Sequence, residues 1–134
     1  TTVTAPYLPS DDTIPQITDG TELLSATITP KRSTSRIRAR AIVWGAVNNA
    51  SLIAALFNGT TNNAVRAAMV YVATGALNEN VVLEYEYAPA SLAAITWSVR
   101  SSGDGIAAYY NGITASRLFG GVAACTLVVE ELFT

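Results

Sequence analysis

The sequence predicts an all-β fold, a sandwich or barrel of about eight antiparallel strands. Two observations lead to this prediction. Short segments rich in Val, Ile, Thr and aromatic residues alternate in polarity, and clusters of Gly, Pro, Asn and Ser separate them at nearly regular spacing. The chain has 134 residues, of which 50% are hydrophobic, so it has enough apolar side chains for the core of one domain.

The predicted strands follow one another almost to the end of the chain. In order they are LLSATIT, RIRARAIVW, LIAALF, AVRAAMVYVA, VVLEYEYA, ITWSVRS, IAAYYNGI and CTLVVEELF. The Asn58-Gly59 and Asn111-Gly112 dipeptides favour positive φ angles and are typical of hairpin turns. The alanines of AVRAAMVYVA are compatible with a helix, but its β-branched and aromatic residues and its place after a turn favour a strand.

The first 20 residues differ from the rest and are predicted to form an extended N-terminal docking arm. Three prolines punctuate this segment and disfavour a packed helix or strand. Residues 21–134 then form the β-sandwich domain. A partly mobile N-terminus is the alternative. The apolar side chains predicted to dock on a neighbouring surface are Tyr7, Leu8, Ile14 and Ile17.

Composition argues against several classes of function. The formal net charge of -2 does not favour nucleic acid as a partner. The chain has no histidine and one cysteine, Cys125, which excludes zinc sites built from Cys and His and a hydrolytic triad with histidine. No apolar run reaches the roughly 18 residues that span a bilayer, and the start lacks the features of a signal peptide. We expect no cofactor, no metal and no membrane partner.

The acidic pairs do not indicate hydrolase chemistry, which needs two carboxyl groups facing each other across a cleft. Glu84 and Glu86 share one face of a regular strand, whereas Glu130 and Glu131 are adjacent and point to opposite faces. We therefore expect a protein that is not an enzyme.

Alternating charges form two rows. Arg36, Arg38 and Arg40 lie on one face of RIRARAIVW, and Glu84 and Glu86 form a matching row on another strand. Opposite charges across a sheet stabilise pairing, so the two rows are predicted to pair within one chain or between subunits. A solvated face and a site for phosphate or an anionic glycan are the alternatives.

Three aromatic residues are candidates for surface recognition. Trp44 has the same strand parity as the arginines, opposite the predicted core face. Tyr109 and Tyr110 come just before the second Asn-Gly turn. Aromatic residues on an outer sheet face or at a loop tip suit recognition or subunit contact, and packing in the core is the alternative.

Several stretches together resemble small jelly-roll domains of bacteriophage virion proteins. They are IPQITDGTELLSATITPKRSTSRI, AALF with Asn58, WSVRSSG, the second Asn-Gly turn and LFGGVAACTLVVEEL. Such domains resemble the knobs of tail or head fibres and the head decoration proteins. The layout is also similar to the trimeric jelly rolls of the tumour necrosis factor type.

The resemblance implies a jelly-roll β-sandwich of about eight antiparallel strands in a non-enzymatic, homotrimeric structural protein. Its expected place is the virion surface, after synthesis in the cytoplasm of the bacterial host. Its expected partners are other virion proteins of the capsid, portal or tail, and a host surface glycan or protein. Host attachment by a trimeric knob at a tail or head fibre tip is the first hypothesis. The alternatives are capsid decoration, which would stabilise the head, and, from another class, a carbohydrate-binding module that uses Trp44.

Overall fold

The computed structural model describes residues 2–59, 61–74, 78–113 and 116–133. Within these ranges the chain is all-β and contains no α-helix, and a short 3-10 turn covers Phe119–Gly121. No helix in the described ranges is long and apolar enough to cross a membrane. The strands are β1 Thr2–Val3, β2 Thr21–Ile28, β3 Arg36–Ala46, β4 Ala50–Phe57, β5 Arg66–Val72, β6 Asn78–Tyr87, β7 Ile95–Gly103, β8 Ala108–Tyr110, β9 Gly112–Ile113, β10 Ser116–Arg117 and β11 Thr126–Leu132.

The strands form two antiparallel sheets that pack face to face. In sheet one, β3 is central. It pairs with β6 along one edge, and along the other with β11 and, at its far end, with β8, which pairs with β1 in turn. Sheet two has the order β2, β7, β4, β5. The small hairpin of β9 and β10 lies outside both sheets.

The main core lies between the sheets and follows the predicted alternation. The side chains of β3 at odd positions are buried, and so is Trp97 of β7. Tyr85 and Tyr87 of β6 pack against Trp97, with ring centroids 6.4 and 5.9 Å from its own. The alternation in the sequence therefore identifies the buried face correctly, because successive side chains of a strand point to opposite sides.

The segment predicted as a strand despite its alanines is strand β5. It pairs with β4 over seven residue pairs, from Ala50 with Val72 to Leu56 with Arg66. The connection is longer than a tight Asn-Gly hairpin, because β4 ends at Phe57 and β5 begins only at Arg66. Part of it pairs elsewhere, since Gln16 forms an antiparallel bridge with Asn63.

A second apolar cluster, here called the outer cluster, lies on the outer face of sheet two. Leu8 contacts Ile53, Ala55 and Phe57 of β4 there, with Ile17 and Ala64 at the margin. The last six residues of β4 are therefore buried on both faces, one by sheet one and the other by the N-terminal segment. The segment is fixed in place by polar contacts as well. The Leu8 N–H donates to the hydroxyl of Ser102 at 2.8 Å.

Candidate binding surface

The outer face of sheet one carries the three arginines. They lie on β3 between β6 and β11, with Arg38 opposite Glu86 and Arg40 opposite Glu84 in the register of β3 and β6. Arg36 forms an ion pair with Glu86 at 2.6 Å. The two charge rows thus lie side by side within one chain, on neighbouring strands.

Arg38 takes a partner that the sequence pattern did not suggest. Its guanidinium pairs with Glu130 of β11 at 2.7 Å, on the side of β3 away from β6. The hydrogen bond and the charge of Glu130 raise the pKa of Arg38. An ion pair between Arg38 and Glu84, the pair that the two rows first suggest, is absent from the described residues. Arg40 and Glu84 also have no ion pair there, although they lie opposite each other.

The Arg36–Glu86 pair is expected to add little stability. Both side chains are more than a third exposed to solvent. A double-mutant cycle with Arg36→Ala and Glu86→Ala should give a coupling energy below about 1 kcal/mol that shrinks at high salt. Urea denaturation measures it, and Arg40→Ala with Glu86→Ala is the matched control for a cycle without an ion pair. A coupling energy well above this bound, or one insensitive to salt, would contradict the exposed geometry.

Beyond the charges, the same face ends in an apolar groove of about 350 Å³, here called the Trp44 groove. Trp44 and Ile42 contribute from β3, and Asn80 lies opposite Trp44 on β6. The segment that leads into β11 closes the other side. The full lining is Ile42, Trp44, Asn80, Phe119, Val122, Ala123 and Ala124.

The backbone of Trp44 is held in place by the side chain of Cys125. The Trp44 N–H donates to the sulfur of Cys125 at 3.3 Å, and the thiol donates back to the Trp44 carbonyl at 3.5 Å. Burial raises the pKa of the Cys125 thiol, so the group stays protonated and can donate. Cys125 therefore has a structural role as a small, half-buried residue.

One wall of the groove is built on an unusual backbone. Phe119 has a φ angle of 51°, and Gly120 and Gly121 follow with positive φ angles of 63° and 94°. A side chain is disfavoured in this left-handed region, by about 1–2 kcal/mol. The turn leaves Phe119 70% and Val122 86% exposed. The Gly-Gly pair after an aromatic residue is the signal from which this turn could have been predicted. Nothing in the sequence indicates that Asn80 is a neighbour of Trp44.

Tyr110 is not a surface residue, which corrects the sequence-based prediction. It is only 3% exposed and belongs to the main core. Its hydroxyl donates to the hydroxyl of Ser101 at 2.6 Å, and Ser101 donates in turn to the Ile53 carbonyl. Tyr109 is half-buried and lies in β8, opposite Thr2 of β1. Adjacent residues of a strand face opposite sides, so only one of the two tyrosines can point outward.

Burial of Tyr110 raises the pKa of its hydroxyl well above the ordinary value of a tyrosine. Burial raises the pKa of Tyr87 too. Above about pH 10 the unfolded chain loses the Tyr110 proton while the folded chain keeps it, so the stabilisation present below that pH is lost as the pH rises. Each such tyrosine contributes a slope of at most about 1.4 kcal/mol per pH unit.

The expected result is that wild-type stability falls more steeply above about pH 10 than that of Tyr110→Phe. Urea denaturation from neutral to strongly alkaline pH measures the two slopes. The difference between the two proteins at neutral pH serves as the baseline, and Tyr87 leaves a residual slope in both. Parallel curves throughout would mean that Tyr110 is open to solvent.

The N-terminal residues predicted to dock elsewhere contact their own domain to different degrees. Leu8 is 2% exposed in the outer cluster, and Tyr7 and Ile17 are half-buried. Ile14 remains 57% exposed. It lies beside an open groove of about 340 Å³ between the segment from Asp11 to Pro15 and the start of β5. Hydrogen bonds from the side chain and the N–H of Thr13 lower the pKa of Asp11.

The described residues contain no group of three or more side chains suited to hold a metal ion. No family profile matches the chain, and no curated protein is similar to it in sequence. The geometry of the chain itself is therefore what indicates its function. Its most distinctive surface feature is the outer face of sheet one, where a charged half adjoins the Trp44 groove.

Proposed function

We propose that the sandwich is a jelly roll and that the protein is a non-enzymatic structural protein of a bacteriophage particle. In this proposal it is a trimeric knob at a tail or head fibre tip on the virion surface, and it serves attachment to the host. The pairing of the strands is the observation that carries the proposal furthest, and the sequence resemblance supplies the link to phage particles.

The strand order supports a jelly roll because the pairs are nested. The first strand pairs with the eighth, the second with the seventh, the third with the sixth and the fourth with the fifth. A long antiparallel hairpin of eight strands, wrapped into two sheets, produces this nesting and the two Greek keys of a jelly roll. Strand β11 extends the arrangement by pairing with β3 next to β8.

Exposed apolar side chains support association with other molecules. Val82 and Val128 lie exposed on the outer face of sheet one, near the Trp44 groove. Met69 and Tyr71 are exposed on β5, at the edge of sheet two. Exposed apolar side chains that form a large patch mark interaction sites on soluble proteins. A homotrimer would bury part of this surface, and three copies of one site would act together through avidity.

The packing of the N-terminal segment favours attachment over capsid decoration. A decoration protein that grips the shell through its arm needs the apolar side chains of that arm to be free, and Leu8 is committed to the outer cluster. Decoration is the second candidate, because Ile14 is exposed beside an open groove and is free to contact a capsid.

Binding of labelled protein to intact susceptible bacteria and to undecorated capsids, measured side by side, tests the proposal. We expect binding to cells, with reduced adsorption of the phage that encodes the protein. Binding to capsids alone, with a rise in capsid stability, would instead establish decoration. Binding to neither would overturn both roles. Sedimentation of the free protein tests the trimer separately.

A further inference from the structure

The Trp44 groove combines three properties that point to one class of ligand. Two aromatic side chains border it, an amide lies opposite one of them, and no charged residue is part of its lining. Its volume of about 350 Å³ lies at the lower end of the range for small-molecule sites. We propose that the Trp44 groove binds a neutral sugar unit of a host surface glycan. This inference depends on the proposed attachment function and gives that function a site.

The aromatic residues fit the apolar faces of a sugar ring. Pyranose rings present C–H groups on their faces, and these pack against the faces of aromatic rings. Trp44 lies on a central, regular strand. Its N–H and its carbonyl both form hydrogen bonds with the Cys125 thiol, so the position of its backbone is fixed. Phe119 projects from the opposite wall and is 70% exposed. Binding of a ligand costs little conformational entropy at Trp44, because the backbone around this residue is ordered already.

Asn80 supplies the polar group that a sugar hydroxyl requires. Its side chain is exposed, and no hydrogen bond to it exists among the described residues. An amide offers both donors and an acceptor, which matches the dual character of hydroxyl groups. Few polar groups set among apolar ones are typical of small-molecule sites, where the polar groups fix orientation.

The backbone of Phe119 is an independent observation that favours a binding role. A left-handed conformation at a bulky residue costs free energy, and such strain is concentrated at functional sites. Here the strained turn does not bury Phe119 but exposes it, with Val122 beside it at 86% exposure. A turn that served only to connect β10 and β11 would not need an exposed aromatic residue at that position.

The absence of charged side chains from the groove lining favours a neutral ligand over an anionic one. The nearest arginine on the same strand face is Arg40, which precedes Ile42 by two residues and lies opposite Glu84. Arg117 lies near the turn, with its guanidinium beside Gly121, but neither arginine is part of the lining. An acidic sugar or a free phosphate would therefore find no cation among the residues that line the Trp44 groove.

Ligand-observed NMR with a panel of free sugars tests the inference. The neutral probes are glucose, galactose, mannose and N-acetylglucosamine, and the charged probes are glucuronic acid and inorganic phosphate. We expect at least one neutral sugar to bind and the charged probes not to bind. Trp97 is fully buried, so a change in tryptophan fluorescence on adding the sugar locates the ligand at Trp44.

Variants then assign the contacts. Trp44→Ala should weaken sugar binding at least about tenfold, as removal of a central aromatic contact does. Asn80→Ala should weaken it about three- to tenfold through the lost hydrogen bond. Tyr71→Ala, which removes an exposed aromatic residue from the other sheet, is the matched control and should leave the affinity unchanged. Phe119→Ser serves where Trp44→Ala disturbs folding, since Phe119 is exposed.

Several outcomes would overturn the inference. They are binding of no neutral sugar, equal binding of the charged probes, and affinities unaffected by both Trp44→Ala and Phe119→Ser. An oligomer that Phe119→Ser dissociates would show that a second copy of the chain covers the groove. Cell binding distinguishes the two proposals. If wild-type protein binds cells and Trp44→Ala binds them equally, the sugar site is wrong and attachment stands. If the wild type binds no cells, attachment is wrong whatever the sugars do.

Discussion

Leu8→Ala is expected to reduce the free energy of unfolding by about 2–5 kcal/mol, the range for a buried leucine truncated in a packed cluster. Leu8 is 2% exposed and contacts Ile53, Ala55 and Phe57. A Cβ added at Gly20 would lie 3.0 Å from Leu8 Cγ, so the cluster is closely packed around the side chain. Urea denaturation at neutral pH measures the change.

Ile14→Ala is the matched control for Leu8→Ala. Both residues are large and apolar and belong to the same N-terminal segment, but Ile14 is 57% exposed. Its substitution should change stability by less than about 0.5 kcal/mol. Equal, small effects of the two substitutions would mean that the segment is detached in solution. The segment would then be a free docking arm, and the case for capsid decoration would become the stronger one.

The strands could be predicted from the sequence because burial on one face of a sheet leaves a period of two in the side chains. This period is clear in β3, β6 and β7, and it places their core residues correctly. In LIAALF the period is absent, since all six residues are apolar and buried. A continuous apolar strand indicates cover on both faces, so this run was the available signal that another segment packs on the outer face of sheet two.

The partners of the charged residues could not be predicted, because the sequence does not specify which strand flanks which. The alternation places Arg36, Arg38 and Arg40 on one face, but the choice between Glu84 and Glu130 for Arg38 depends on β11 pairing with β3. That pairing joins residues more than 80 positions apart. The local sequence pattern carries no information about contacts between such distant residues. These contacts are determined only when the whole chain folds.

The IAAYYNGI segment is divided at its Asn-Gly dipeptide, where the sequence predicted a turn. Strand β8 ends at Tyr110, Asn111 adopts a φ angle of 63°, and β9 begins at Gly112. The segment lacks alternating polar residues, so its sequence could not indicate which tyrosine faces the core. The pairing of Gly45 with Tyr110 and of Ala46 with Tyr109 decides it. A Cβ added at Gly45 would lie 3.0 Å from the Tyr110 ring, so a small residue is needed beside it.

Two serines of β7 connect the main core with the outer cluster. Ser101 accepts a hydrogen bond from Tyr110 and donates to the Ile53 carbonyl, whereas Ser102 accepts from the Leu8 N–H. The N-terminal segment is therefore coupled to the sheet by polar as well as apolar contacts. Buried hydroxyls that both donate and accept are costly to leave unpaired, and this favours a segment that stays on its own domain.

Tyr110→Ala is expected to lower the free energy of unfolding by about 3–5 kcal/mol, because it removes a large aromatic ring from the core and leaves a cavity. It also removes the donor to the Ser101 hydroxyl. Chemical denaturation measures the loss. Tyr109→Ala is the matched control, since its side chain is half-buried on the neighbouring position of the same strand, and its effect should be markedly smaller.

The comparison of these two variants separates a structural role from a recognition role. If Tyr110→Ala weakens cell binding only as far as it unfolds the protein, Tyr110 belongs to the scaffold that positions β8 beside β3. Binding lost at full stability would contradict the buried position and return Tyr110 to the recognition surface. Because a core tyrosine cannot also contact a receptor, the expected outcome removes Tyr110 from the recognition candidates and leaves Tyr109 and Trp44.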